Sequence, residues 1–147
     1  MQTLHELTLD LHIKCPKDLA WDCLVGRVSD WWPADFLCLT NSSGIQFEAF
    51  AGGRLYEESP EGGQILWGTV AMILPGESID LVGPVTAAFG GPSINFVHMS
   101  LTDNGDGMTQ FKLKNDVLGN LTDEGRESVQ EGWAYLYGAF KDFCERL

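Results

Sequence analysis

Two asparagines, Asn95 and Asn115, stand where an apolar side chain is the ordinary choice. Along 94–102, Asn95 alternates in phase with Val97, Met99 and Leu101. Along 108–118, Asn115 alternates with Thr109, Phe111 and Leu113, which leaves Lys112 and Lys114 on the other side. A carboxamide on such a face must find hydrogen-bond partners or cost about 1–3 kcal/mol. Its partner is backbone, water or a bound ligand, and a strand end satisfied by water fits the pattern as well as a ligand contact does. Trp32, Tyr56, Trp67, Trp133 and Tyr137 offer broad apolar faces with a polar tip. Such rings wall small-molecule cavities and also fill plain cores. Gly132 and Gly138 flank Trp133–Tyr137, each at a cost of about 1 kcal/mol against alanine in a helix, so they give a sheet or a ligand close access.

Arg54 shares parity with Tyr56 and stands near Glu57 and Glu58. Turned inward, Arg54 would be a polar anchor for a carboxylate or phenolate, and with Tyr56 and one asparagine would form a general-acid and oxyanion site. As a solvated strand end it would do neither. Other chemistries lack their residues. His5, His12 and His98 form neither H-x-x-x-H nor H-E-x-x-H, and no G-x-S-x-G marks a nucleophile. Asp103–Gly107 resembles the start of a calcium loop, yet Lys114 occupies the twelfth place, where a glutamate is needed. Paired glycines at 52, 62 and 90 give no phosphate loop. Cys15, Cys23, Cys38 and Cys144 lack a C-x-x-C pair and read as small buried hydrophobes. No metal and no cofactor is expected, and no catalytic residue is assigned.

These residues sit in a chain of 147, with 44% hydrophobic, 11% aromatic and 20% charged residues. That length suffices for one core without staples, so a single domain over 1–147 is expected. Nine basic against 21 acidic residues give a net charge of -12, which disfavours nucleic acid and anionic membrane as partners. Apolar runs such as Ile65–Leu74 fall short of the ~20 residues of a spanning helix. The start, Met1-Gln2-Thr3-Leu4-His5-Glu6, lacks the pattern of a secretory signal, so a cytoplasmic location is expected.

The elements that position the site follow from periodicity. Leu7, Leu9, Leu11 and Ile13 alternate with polar residues as a half-buried strand. Pro16 opens a short helix that ends near Gly26. Ser29 is placed to cap a second one running to about Phe36. Strands are predicted at about 45–50, 53–59, 65–75, 78–83, 94–102 and 108–118, divided by Gly, Pro, Asn and Asp turns. Seven strands result, with the first. Thr122 is placed to cap a last helix of roughly six turns, whose Val129, Trp133, Leu136, Tyr137, Phe140, Phe143, Cys144 and Leu147 make one apolar stripe. Only the inner face of the sheet is large enough to receive it.

More specific are Trp31-Trp32-Pro33, Gly52-Gly53-Arg54-Leu55-Tyr56-Glu57, Trp67-Gly68-Thr69-Val70 and Gly132-Trp133, in this order across nearly the whole chain. Together they resemble the START-like (SRPBCC) superfamily, and within it the single-domain bacterial proteins called activator of heat-shock-protein-90 ATPase homologues, beside the polyketide cyclases. The resemblance implies an α+β helix-grip fold: a curved seven-stranded antiparallel sheet, two short helices and a long C-terminal helix. It also implies a cavity that takes a hydrophobic small molecule, and no single reaction. The leading expectation is therefore non-catalytic binding of an apolar or aromatic molecule, a lipid included, by Trp32, Tyr56, Trp67, Asn95, Asn115, Trp133 and Tyr137, with Arg54 as anchor. The alternatives are a cyclase- or hydrolase-like enzyme and a chaperone-associated stress adaptor. Direct stimulation of a chaperone is not expected, since 147 residues leave no room for the separate N-terminal domain of the eukaryotic activator. Ile94 and Phe96, on the outward parity, suggest a covered outer face and a homodimer.

Overall fold

A computed structural model describes residues 4–147. Strand β1 (Leu4–Ile13) leads into helices α1 (Lys17–Gly26) and α2 (Val28–Trp31) and a 3-10 turn at Ala34–Phe36. Six strands follow: β2 (Gly44–Phe47), β3 (Arg54–Glu58), β4 (Gln64–Leu74), β5 (Ser78–Val85), β6 (Ser93–Gly105) and β7 (Met108–Gly119). Helix α3 (Asp123–Arg146) closes the chain. The strands form one antiparallel seven-stranded sheet in the order β1-β7-β6-β5-β4-β3-β2. Each later strand is a hairpin neighbour of the one before it, and only β1 joins out of turn, beside β7.

The expected strand and helix order is present, with two local differences. The second helix does not run from Ser29 to Phe36. Pro33 disfavours helical backbone at the residue before it, so Trp32 is extended at φ -63, ψ 123 and the chain resumes only as a 3-10 turn. Ser29 is not a cap either: its hydroxyl donates to the Ile45 carbonyl at 2.8 Å and accepts the Ile45 N–H at 3.2 Å, tying α2 to β2. The predicted strand at 45–50 ends at Phe47, where the chain turns through Gly53. A Cβ at Gly53 would lie 1.9 Å from the Glu48 carbonyl oxygen, so only glycine closes that turn.

Helix α3 is capped and packed as its sequence dictates, except that Leu147 lies past its end and is exposed, and a Cβ at Gly132 or Gly138 would meet open space, so neither glycine serves a close approach. The Thr122 side chain accepts the Gly125 N–H at 3.0 Å, and Asp123 and Glu124 fill the first turn, where carboxylates meet the positive end of the helix dipole. Its Leu136, Tyr137, Phe140 and Cys144 are buried against β-strand residues such as Ile13, Met99 and Phe111. Cys15, Cys23 and Cys144 are buried as expected, and desolvation pushes each thiol up, so they serve as packing groups rather than nucleophiles. Cys38 differs, being exposed on the loop before β2. Among the described residues no helix is long and apolar enough to cross a membrane.

Candidate functional site

The inner face of the sheet carries the site. Register aligns Leu7, Asn115, Val97, Leu81 and Val70 across β1, β7, β6, β5 and β4, and the next inward row places Val117 beside Asn95 and Asn95 beside Gly83. Asn115 is fully buried. Its amide nitrogen donates to Asn95 Oδ1 at 2.9 Å and to the Phe96 carbonyl at 3.4 Å, while its Oδ1 accepts the Trp133 indole N–H at 3.0 Å. The buried amide is thus satisfied by the Asn95 and Trp133 side chains and the Phe96 backbone and needs no ligand to compensate it.

Tyr137 follows Trp133 by one helical turn and stacks on it at 5.9 Å and on Phe111 at 5.0 Å. Trp31 adds a third ring at 5.6 Å. Burial alone pushes the Tyr137 phenol well above its ordinary range, with no hydrogen-bond partner contributing to the shift. Between these rings and the sheet lies a cavity of about 10 Å³, walled by Trp31, Trp32 and Tyr137 with Phe47, Leu55 and Met99. That is room for one water at most. The cavity for a small molecule expected from the sequence is therefore not open in this structure. Its aromatic lining is also its filling, because Trp31, Phe111, Tyr137 and Phe140 pack on one another at centroid distances of 5.0 to 6.1 Å.

Four of the predicted site residues, Asn95, Asn115, Trp133 and Tyr137, come together in one cluster, and Trp32 lines the cavity beside Tyr137. Trp67 stands apart. It occupies the bulge where β4 passes Leu55 and Tyr56, its ring meets Phe89 at 5.3 Å, and its buried indole nitrogen has no partner. Arg54 and Tyr56 are not in the site. Leu55 and Glu57 turn inward on β3, so alternation sends Arg54 and Tyr56 to the outer face. There the Arg54 guanidinium covers the Tyr56 ring at 4.3 Å and donates to Glu48 at 3.1 Å, holding that carboxyl below its usual range. The general-acid site built on Arg54, Tyr56 and an asparagine is not formed, since its members lie on opposite faces of the sheet.

Glu57 was missed as a site residue. It is fully buried, and its carboxylate accepts the Cys38 N–H through both oxygens, at 3.0 and 2.9 Å, and the Leu39 N–H at 2.8 Å. Its parity with Leu55 was the available signal. At the other end of this segment Tyr135 of α3 donates to Asp35, at 2.9 and 3.0 Å to its two oxygens, and packs on Phe36 at 4.9 Å. Residues 35–39 thus form a strap between α3 and β3, beside the cavity wall at Trp32. Among the described residues no group of three or more His, Cys, Asp or Glu is placed to hold a metal ion.

No family model and no curated protein matches the chain. Solved structures do. Ara h 8.0201 superposes with a TM-score of 0.73 at 13% identity, over 99% of this chain and 100% of its own. The Mll3558 protein from Rhizobium loti gives 0.71 at 17%, over 97% and 98%. An anthrahydroquino-gama-pyrone synthase, Txn09, complexed with SUM, gives 0.54 at 21%, over 75% of each chain. At these identities the likeness establishes the fold, a curved antiparallel sheet gripping a long C-terminal helix, and leaves function to the site.

Proposed function

We propose that the chain binds a flat apolar or aromatic molecule between α3 and the sheet, beside Trp31, Trp32 and Tyr137, without catalysing a reaction on it. The carrying observation is Tyr137: its nearly buried side chain lines the cavity, and among the described residues its hydroxyl makes no hydrogen bond, in a lining otherwise apolar or already bonded. The Trp31 indole donates to the Cys23 carbonyl at 2.8 Å and that of Trp32 to the Phe36 carbonyl at 3.4 Å, so Tyr137 is the donor left for a guest. An apolar cavity of about 150 Å³ accepts a benzene ring. The present 10 Å³ must therefore widen, and the half-buried Trp32 and Phe47 are the side chains at its rim able to move outward.

The fold likeness to a synthase solved with a bound molecule supports a ligand site in this fold, and the absence of an assembled acid site weighs against turnover. The motifs Trp31-Trp32-Pro33 and Gly52-Gly53 also favour placing the chain in the START-like superfamily, with the heat-shock-protein-90 activator homologues. In this reading it works in the cytoplasm with a small molecule, and needs neither nucleic acid nor membrane as partner.

The test is thermal unfolding with 1-naphthol and with naphthalene. Both should raise the melting temperature of the natural chain. Trp32→Ala, which vacates the rim, should tighten both, and Tyr137→Phe should weaken 1-naphthol at least fivefold while leaving naphthalene unchanged. If neither compound shifts the natural chain or Trp32→Ala, the reading is wrong.

A further inference from the structure

The outer face of the sheet carries a surface that the interior site does not use. Alternation and register place Leu118, Ile94 and Pro84 in one outward row across β7, β6 and β5, and Asp116, Phe96 and Val82 in the next. Ile94 and Phe96 are 44% and 43% exposed, large for rings and branched chains on an interior strand of a sheet. The third row reads Lys114, His98, Asp80, with His98 Nδ1 against the Asp80 carboxylate and Lys114 half-exposed, 3.7 Å from Asp116.

We propose that a second copy of this chain covers this face, packed sheet to sheet about a two-fold axis close to the β6 direction. The argument is self-complementarity. Rotation about that axis keeps β6 over β6 and exchanges β7 with β5, within the small angle at which aligned sheets stack. Leu118 then meets the partner's Pro84, Phe96 and Ile94 meet their own counterparts, and Lys114 meets the partner's Asp80. The same rotation sets Asp116, 3.7 Å from its own Lys114, over the partner's Val82, whereas an axis across the strands would lay the whole Lys114 row on the Leu118 row. A single face that supplies both signs in mirrored places suits a copy of itself.

The three rows cover about 10 Å across β7, β6 and β5 at ~4.8 Å spacing and about 14 Å along them. That is well below the ~800 Å² per partner of a standard interface and belongs to the size class of weak, transient association.

Sedimentation equilibrium from 1 to 500 μM tests this. The natural chain should pass from monomer to dimer across that range. Phe96→Glu should weaken association at least 100-fold with little change in the monomer's unfolding, since the side chain is exposed. Lys114→Glu and Asp80→Lys alone should each weaken it about tenfold. An equimolar mixture of these two variants should recover it, because both cross-axis contacts then join opposite charges. A chain that stays monomeric to 500 μM overturns the proposal. So does a dimer indifferent to Phe96→Glu, or a mixture no tighter than its components.

Discussion

Glu57→Ala gives the most direct test of the strap. The substitution leaves the backbone N–H groups of Cys38 and Leu39 facing a void where a carboxylate accepted them at 2.8 to 3.0 Å. A hydrogen bond to a charged group contributes about 1.5–3 kcal/mol, and two donors lose theirs. Against this, the variant no longer buries a charge, which offsets part of the loss. The net cost should be about 3–5 kcal/mol, a large share of the 5–15 kcal/mol that stabilises a typical domain. For a chain of this size that lowers the melting temperature by roughly 6–20 °C. Glu57→Gln keeps the shape. Its oxygen can accept the Leu39 N–H and one Cys38 contact, but its NH₂ then faces the Cys38 N–H, donor to donor, so it should cost about 1.5–3 kcal/mol. Urea unfolding gives the energies, and amide exchange locates them: Cys38 and Leu39 should lose protection in both variants while Phe140 and Cys144 keep theirs. An alanine variant within 1 kcal/mol of the natural chain, or a glutamine variant equal to it, would refute the account.

Two further outcomes follow from the helix. Burial raises the Tyr137 phenol, so the folded chain holds a proton that the unfolded chain gives up above the ordinary value of 10.0; stability should fall as pH rises past that value, and Tyr137→Phe should flatten that decline in urea titrations. Thr122→Ala removes the cap on Gly125 and should cost about 1 kcal/mol, read from the urea midpoint, with faster exchange confined to the first turn of α3.

Much of the fold was legible because local pattern and tertiary demand agree. The stripe of α3 has one possible partner, and the alternation in β6 and β7 is unbroken, which placed Asn95 and Asn115 inward and Lys112 and Lys114 outward. Strand β3 was ambiguous. Both of its faces mix apolar and charged groups, Tyr56 with Arg54 and Glu58 on one and Leu55 with Glu57 on the other, so parity groups Glu57 with Leu55 but does not by itself show that this charged face turns inward. The choice is made by two N–H groups from residues 38 and 39, 19 and 18 positions away in sequence, which only the folded chain brings to Glu57. The second helix was overextended because Ser29 and Pro33 each suit a helix start, and the β2 backbone that claims Ser29 is invisible locally. Cavity size was not legible at all, since rings that wall a space and rings that fill it have the same sequence.

The strap also bears on timing. If the proposed guest enters beside Trp32, it would have to push past a segment held at one end by the Tyr135 phenol and at the other by the Glu57 carboxyl, so the barrier would lie in opening rather than in contact. Capture would then be limited by a step independent of guest concentration, and release would be equally unhurried. Stopped-flow traces that saturate with rising probe would display such gating, whereas strictly linear ones would show that the doorway lies elsewhere.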